Sequence, residues 1–116
     1  MQLIVHIRLD EPLALPINYN HILQAVIYRS LGVMPDYAQF LHEGGFRRGQ
    51  RQYKMFQFSQ LEGEYRIEDK KIIFPSEVSF EVRSPEPLLI RLLGDSIWNQ
   101  GITFGNHVYQ DVQLEL

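Results

Sequence analysis

The order in which the hydrophobic period changes along this chain is its tightest constraint on fold. The segment "LIVHIRL" alternates, with Leu3, Val5, Ile7 and Leu9 on one side of an extended chain and Ile4, His6 and Arg8 on the other. The period then changes. In "INYNHILQAVIYRSLG", Tyr19, Leu23, Val26, Ile27 and Leu31 follow three- and four-residue spacing, the stripe of an amphipathic helix. Asn18 or Asn20 is placed to cap it and Gly32 to end it. Extended segments return as the aromatic-rich "QYKMFQFSQL" and as "SEVSFEVRS", with Val78, Phe80 and Val82 inward and Glu77, Ser79, Glu81 and Arg83 outward. A second helical pattern, "SPEPLLIRLLGDSIWNQG", buries Leu89, Leu92, Leu93 and Ile97. Ser84 serves as its N-cap with Pro85 in the first turn, and Gly101 lies past its end. The chain closes as a strand, a turn at Gly105-Asn106 and a strand, with Val112, Leu114 and Leu116 alternating against Asp111, Gln113 and Glu115. This order predicts an α+β domain of the ferredoxin-like βαββαβ type. Its antiparallel sheet carries the helices on one face and leaves the other free.

Insertions decorate that frame. "DEPLALP" reads as a loop. "MPDYAQFLHEGG" reads as a short extra helix, with Pro35 at its first position, Tyr37, Phe40 and Leu41 as its stripe and Gly44-Gly45 as its stop. "EYRIEDKKIIF" reads as an extra hairpin turning at Glu68-Asp69-Lys70. The 116 residues fit one domain, with no repeat, linker or low-complexity segment. There is no cysteine, which excludes a disulfide framework, a thiolate metal site and a cysteine nucleophile. No apolar run approaches the ~18 residues of a membrane span, and the N-terminus lacks the pattern of a signal peptide. A cytoplasmic protein without a membrane partner is the expectation.

Charge is unevenly placed on this chain of net charge -3. Arg47, Arg48, Arg51 and Lys54 crowd one short stretch with only Glu43 close by, while Glu62, Glu64, Glu68, Asp69, Glu77, Glu81 and Glu86 lie elsewhere. A local basic site on an acidic body is one reading; a solvated loop is the other. Beside this stretch, Tyr28 lies off the stripe of the first helix, on the face with His21 and Ala25. It is either a rim tyrosine or a functional phenol. His42 ends the second helical pattern, where the helix C-terminus favours an imidazolium. It is either a solvent-facing cap or a proton-transfer group. Lys54 shares a side with Phe56 and Phe58 at the start of a strand. It is either a snorkelling lysine or a cation held for an anionic substrate. Phe46 and Tyr53, interleaved with the cations, favour single-stranded RNA, which is held by stacking and charge together. The four histidines lack ligand-like spacing, and no phosphate loop or nucleophile elbow occurs, so no metal or cofactor is expected. Tyrosine, histidine and lysine suit metal-free cleavage of RNA. The 2'-hydroxyl is the nucleophile, and the protein supplies proton transfer and a cation for the phosphorane.

Three stretches, "LPINYNHILQAVIYRSL", "PDYAQFLHEGGF" and "YKMFQFSQL", resemble the N-terminal half of the CRISPR-associated endoribonucleases that process precursor CRISPR RNA, members of the RAMP superfamily. "RSPEPLLIRLLG" and "GITFGNHVY" are similar to the second helix and final strand of that half, so the resemblance covers essentially the whole chain. Some members carry a metal-independent triad, and its tyrosine, histidine and lysine match Tyr28, His42 (in "FLHE") and Lys54 (in "KMFQFS"). The resemblance implies that His42 is the general acid or base. Tyr28 then assists proton transfer or orients the 2'-hydroxyl, and Lys54 stabilises phosphorane charge. Arg47, Arg48 and Arg51 contact the phosphates of CRISPR repeat RNA. The products are a 2',3'-cyclic phosphate and a 5'-hydroxyl. Family enzymes usually pair two ferredoxin-like domains, and the second carries a glycine-rich RNA-binding loop. Gly101 and Gly105 are too sparse to be its counterpart. The chain is then an N-terminal half, excised or naturally short. Some relatives lack the histidine and bind RNA without the triad. A non-catalytic RNA-binding module therefore stays open, as does an interaction domain of a CRISPR effector complex. In the latter, the outward face (Ile4, His6, Arg8, Glu81, Arg83) docks a second RAMP domain or another copy in a homodimer.

Overall fold

The computed structural model describes residues 1–33, 47–48, 51–52 and 56–116, with residues 33, 47–48 and 51–52 by their backbone. In chain order the elements are β1 (Gln2–Arg8), β2 (Leu13–Pro16), α1 (Asn20–Ser30) running into a 3₁₀ turn (Leu31–Val33), β3 (Arg47–Arg48), β4 (Arg51–Gln52), β5 (Gln57–Phe58), β6 (Arg66–Glu68), β7 (Lys71–Phe74), β8 (Glu77–Arg83), α2 (Pro87–Gln100), β9 (Ile102–Phe104), β10 (His107–Tyr109) and β11 (Val112–Glu115).

Alternation makes β1 the centre of the protein. Leu3, Val5 and Ile7 are at most 1% exposed, and their neighbours Ile4 and His6 are half-buried on the other face. β1 pairs along its whole length with β8, from Gln2↔Arg83 to Arg8↔Glu77, and on its other edge with β11, from Ile4↔Glu115 to Ile7↔Val112. β5 joins the free edge of β8 through Gln57↔Arg83 and Phe58↔Val82. The resulting antiparallel order, β11-β1-β8-β5, with α1 between the first and second of these strands in the chain and α2 between the third and fourth, is the ferredoxin-like βαββαβ arrangement. Val78, Phe80 and Val82 of β8 point inward as their alternation requires.

Both helices cover the same face. Leu23, Val26 and Ile27 of α1, Leu31 of the 3₁₀ turn, and Leu89, Leu93 and Ile97 of α2 enter one cluster with the inward residues of β1 and β8. Gly94 of α2 faces the Leu3 and Leu114 side chains at about 4 Å. The stripe of α2 is shifted from expectation: Ile90 and Ser96 are buried, and Leu92 is half-buried. Its cap is also different. Glu86, not Ser84, is the N-cap; its carboxylate accepts from the Leu88 N–H at 3.2 Å, and Pro87 takes the first helical position. Ser84 instead folds into the turn before the helix, its buried hydroxyl accepting from the Glu86 N–H at 3.0 Å. At the other end Gly101 has φ 74, and its N–H donates to the Ile97 carbonyl at 2.9 Å. A Cβ there would lie 2.6 Å from the Tyr109 carbonyl oxygen, so only glycine lets the chain leave α2 against β10. α1 starts at Tyr19 without a side-chain cap, so neither Asn18 nor Asn20 plays the expected part. The Tyr19 hydroxyl instead accepts from the Leu61 N–H at 2.9 Å, binding the helix start to the loop after β5. α1 gives way at Leu31 to the 3₁₀ turn containing Gly32.

The segment expected as a loop, "DEPLALP", is a strand over its second half. β2 pairs with β7 from Leu13↔Phe74 to Pro16↔Lys71, and Leu13 and Leu15 are buried. The two prolines mask a two-residue period, which an edge strand tolerates. β7 also pairs with β6 to form the expected hairpin, turning at Asp69 (φ 50) and Lys70 (φ 64), the paired positive φ of a type I′ turn. The chain end also departs from expectation. β10 folds back on β9, and a separate β11 reaches β1, so Val112 is buried and Leu114 half-buried while Leu116 is 82% exposed. The short extra helix expected from "MPDYAQFLHEGG" lies outside the described residues. No helix among those described is long and apolar enough to cross a membrane.

Acidic and aromatic groups tie the β9-β10 hairpin to the β1-β2 turn. His107 Nε2 lies 2.7 Å from Asp10 Oδ1, and its Nδ1 lies 3.2 Å from Glu11 Oε1. The Tyr109 ring packs on the imidazole at 4.5 Å, and its hydroxyl donates to the Glu11 carbonyl at 3.3 Å. The hydrogen bond with His107, aided by its charge, holds the Asp10 carboxyl below the usual carboxylate range. A depressed carboxyl stabilises the fold above the pKa of the unfolded chain, and that contribution disappears as pH falls through the folded value. Asp10→Asn is therefore expected to destabilise the protein slightly at neutral pH and not at all in strong acid. Urea midpoints of the two proteins across that range check it. Burial, with Glu11 and Asp10 nearby, raises the Tyr109 phenol. Stability is correspondingly lost at alkaline pH, where the unfolded chain ionises this tyrosine and the folded one resists.

Candidate functional site

Tyr28 is turned out of the buried stripe of α1 but is not a free rim residue. The neighbouring Val26 and Ile27 are 5% and 1% exposed and fix the rotation of the helix, which leaves Tyr28 half-buried toward the β5 edge of the sheet. There its ring meets Phe56 edge-to-face, centroids 5.5 Å apart and planes at 70°. Phe56 in turn lies 6.2 Å from Phe58, which packs on the core. A row of three rings thus links α1 to the start of β5. The arrangement restrains the direction of the phenol, because edge-to-face contact is directional as well as apolar.

β5 is pinned in register beyond its two ladder positions. The Ser59 N–H donates to the Glu81 carbonyl at 2.9 Å, and the Glu81 N–H donates to the Ser59 hydroxyl at 2.9 Å. Lys54 stands two positions before Phe56 in the chain. His42 and Lys54 themselves lie outside the described residues. Of the three sequence-predicted catalytic residues, Tyr28 alone is thus given a described position.

The arginines occupy a ribbon of their own. β3 and β4 pair through Arg47↔Gln52 and Arg48↔Arg51, which makes Arg48 and Arg51 register partners.

The face of the sheet away from the helices is polar. It holds a concavity of 280 Å³ lined by His6, Arg8, Glu62, Glu77, Ser79 and Gln113 among others. His6 Nε2 lies 2.5 Å from Glu115 Oε2, and Arg83 pairs with Glu81. Among the described residues, the outward positions of β1, β8 and β11 carry no Phe, Tyr or Trp that could stack a base. A larger cleft of 660 Å³ opens at the end of the sheet, beside Phe56. No local pattern in the sequence points to it: its walls, among them Met1, Gln2, Phe56, Gln57, Arg83 and Pro85, come from three distant parts of the chain. The one legible hint was the Phe56-Phe58 alternation. Among the described residues, no group of His, Asp and Glu is arranged to hold a metal ion.

No family model matches this chain, and no curated protein matches it. Solved structures do. The fold is similar to that of CRISPR associated protein Cas6 (20% identity, TM-score 0.66, all of this chain on 48% of the other). It is also similar to the product of a Cas6-related gene from Pyrococcus furiosus (18% identity, TM-score 0.68, again all of this chain on 48% of the other). A third likeness is to an RAMP protein described as binding different RNA substrates (21% identity, TM-score 0.66, 99% of this chain on 48% of the other). The chain therefore has a Cas6/RAMP-type fold and spans about half the length of the structures it matches.

Proposed function

We propose that this chain is an RNA-processing domain that cleaves CRISPR repeat RNA without a metal ion, leaving a 2',3'-cyclic phosphate and a 5'-hydroxyl. The observation that carries the reading is the likeness of the whole chain to Cas6 and RAMP structures, one of them of a protein that binds RNA. The residue pattern supports the chemistry. Tyr28 is held edge-on by Phe56 near the start of β5, and Lys54 stands two positions before Phe56 in the chain. In this reading His42 transfers the proton between the attacking 2'-hydroxyl and the departing 5'-oxygen. Tyr28 orients the hydroxyl, and Lys54 balances charge on the phosphorane. The Arg47-Arg48-Arg51 ribbon holds flanking phosphates.

Labelled repeat RNA incubated with the protein in EDTA tests this. A discrete product ending in a cyclic phosphate is expected, and none from RNA carrying a 2'-deoxy sugar at the cut. Salt-sensitive binding without any product would reduce the proposal to an RNA-binding module of the same fold. No binding at all would end it.

The ribbon makes a separate prediction. Each phosphate contact on single-stranded nucleic acid contributes ~0.7 to the slope of log affinity against log salt. Arg48→Ala with Arg51→Ala is therefore expected to lower that slope by about 1.4 and weaken binding of all sequences alike, as read by fluorescence anisotropy at several salt concentrations.

A further inference from the structure

The 660 Å³ cleft beside Phe56 has no part in the proton transfers described above, yet its walls have a specific chemistry. Phe56 is half-buried: Tyr28 and Phe58 hold it from the protein side, and the remainder of the ring faces the cleft. Arg83, 67% exposed along its side chain and the register partner of Gln57, also lines the cleft. Gln57 and Gln2 add two carboxamides, each with one acceptor and two donor hydrogens. An apolar ring, a guanidinium and two amides are what a nucleotide needs: a surface for the base, a charge for the phosphate, and donors and acceptors for the base edge. The volume lies within the range of small-molecule sites, ~300–1,000 Å³. The Arg83-Glu81 pair does not close the cleft. Both partners lie on β8 near the surface, and an exposed pair of this kind is a weak restraint that a phosphate displaces.

We propose that this cleft is a subsite for one single-stranded nucleotide of the RNA, next to the cleaved bond, with its base against Phe56 and its phosphate on Arg83. The inference rests on the RNA-processing reading above and adds to it where the strand runs. Phe56 becomes the shared wall between the phenol of Tyr28 and the neighbouring base. A base seated there restrains Phe56, which in turn restrains Tyr28. The strand then passes the β5 edge at the end of the sheet, with Arg83 at the margin of the polar face.

The test uses a short unstructured oligoribonucleotide, fluorescently labelled, in EDTA, with the intact protein. Base stacking on an aromatic contributes ~1–3 kcal/mol, which is a loss of roughly 5- to 150-fold in affinity when Phe56→Ala removes the ring. Arg83→Ala is expected to weaken binding and to lower the salt slope by about 0.7, one phosphate contact on a single strand. Arg83→Lys should keep the slope and lose only part of the affinity. Phe56→Trp in a Trp98→Phe background places one indole in the cleft, since Trp98 is the single tryptophan of the chain. Its fluorescence should be quenched by the oligonucleotide. Circular dichroism melts confirm that each variant folds, and the Trp variant supplies a direct reading even if the Ala variant does not. Arg66→Ala, on the distant β6, is the control for lost charge alone. Unchanged affinity in Phe56→Ala and Arg83→Ala, with the tryptophan unquenched while RNA still binds and is cut, overturns the subsite and leaves the RNA-processing reading intact. Binding that depends on Phe56 and Arg83 without any cleavage keeps the subsite and removes the nuclease. Absence of RNA binding removes both.

Discussion

Under the proposed function, replacing His42 with alanine is expected to lower cleavage of repeat RNA by ~10²–10⁴-fold, the usual contribution of a positioned general acid or base. The expectation follows from the proposed chemistry. Attack of a 2'-hydroxyl on its own phosphorus needs no activated water, so the rate rests on moving protons and holding charge. Neither the ribbon arginines nor the Phe56 cleft replaces that function. RNA affinity, which the proposal assigns to those residues, should change less than tenfold, and the thermal midpoint should be nearly unaltered. Single-turnover rates with saturating protein separate the two effects. A variant that binds equally and cuts equally would remove His42 from the reaction. A variant that no longer folds would make it a structural residue. Tyr28→Phe is a finer version of the same experiment. It keeps the ring that meets Phe56 at 5.5 Å and deletes only the hydroxyl, so any loss in rate belongs to the phenol and not to packing.

The second large effect concerns the core. Phe80→Ala is expected to cost about 3–5 kcal/mol, in the range for a large aromatic deleted from a well-packed interior. Phe80 is 2% exposed at the middle of β8, opposite Val5 of β1, and both edges of that pair lie under the helices' shared cluster. Small domains are stable by only ~5–15 kcal/mol in all, so this one side chain decides whether the protein stays folded at physiological temperature. Urea denaturation followed by circular dichroism measures the loss. A cost below ~1 kcal/mol would mean that the four-stranded sheet is not the packed centre described here.

Legibility in the sequence followed how locally each feature is encoded. β1 and β8 were readable residue by residue, because a two-residue period assigns a face to every side chain. The stripe of α1 was equally plain, and the pairing of α1 with α2 follows from two helices sharing one apolar face. β2 was missed because two prolines and an alanine hide a short alternation, and only its partner β7 shows that Leu13 and Leu15 are buried. The Glu86 cap was missed because Ser84-Pro85 imitates the commoner pattern two residues too early. The Asp10-His107 contact joins positions 97 apart, and the cleft at Phe56 gathers side chains from β1, β5 and the end of β8. No local pattern encodes such meetings. They arise only once the strand order is set. For the site, the motif around His42 spoke to chemistry while the structure spoke to Tyr28, Phe56 and the ribbon, and the two sources overlap at Tyr28.

The pairing of β1 with β11 has a consequence for synthesis. His6 and Glu115 meet although they are 109 positions apart. During translation, β1 leaves the ribosome with both edges open. One is covered when β8 arrives; the other waits for residues 112–115 and, at ~5–20 residues per second, that wait lasts seconds. A strand whose inner face is Leu3, Val5 and Ile7 is a template for any other extended chain in that interval. Slow decoding between β8 and β11 should thus reduce the soluble yield of this protein, because it prolongs the interval in which one edge of β1 stands open.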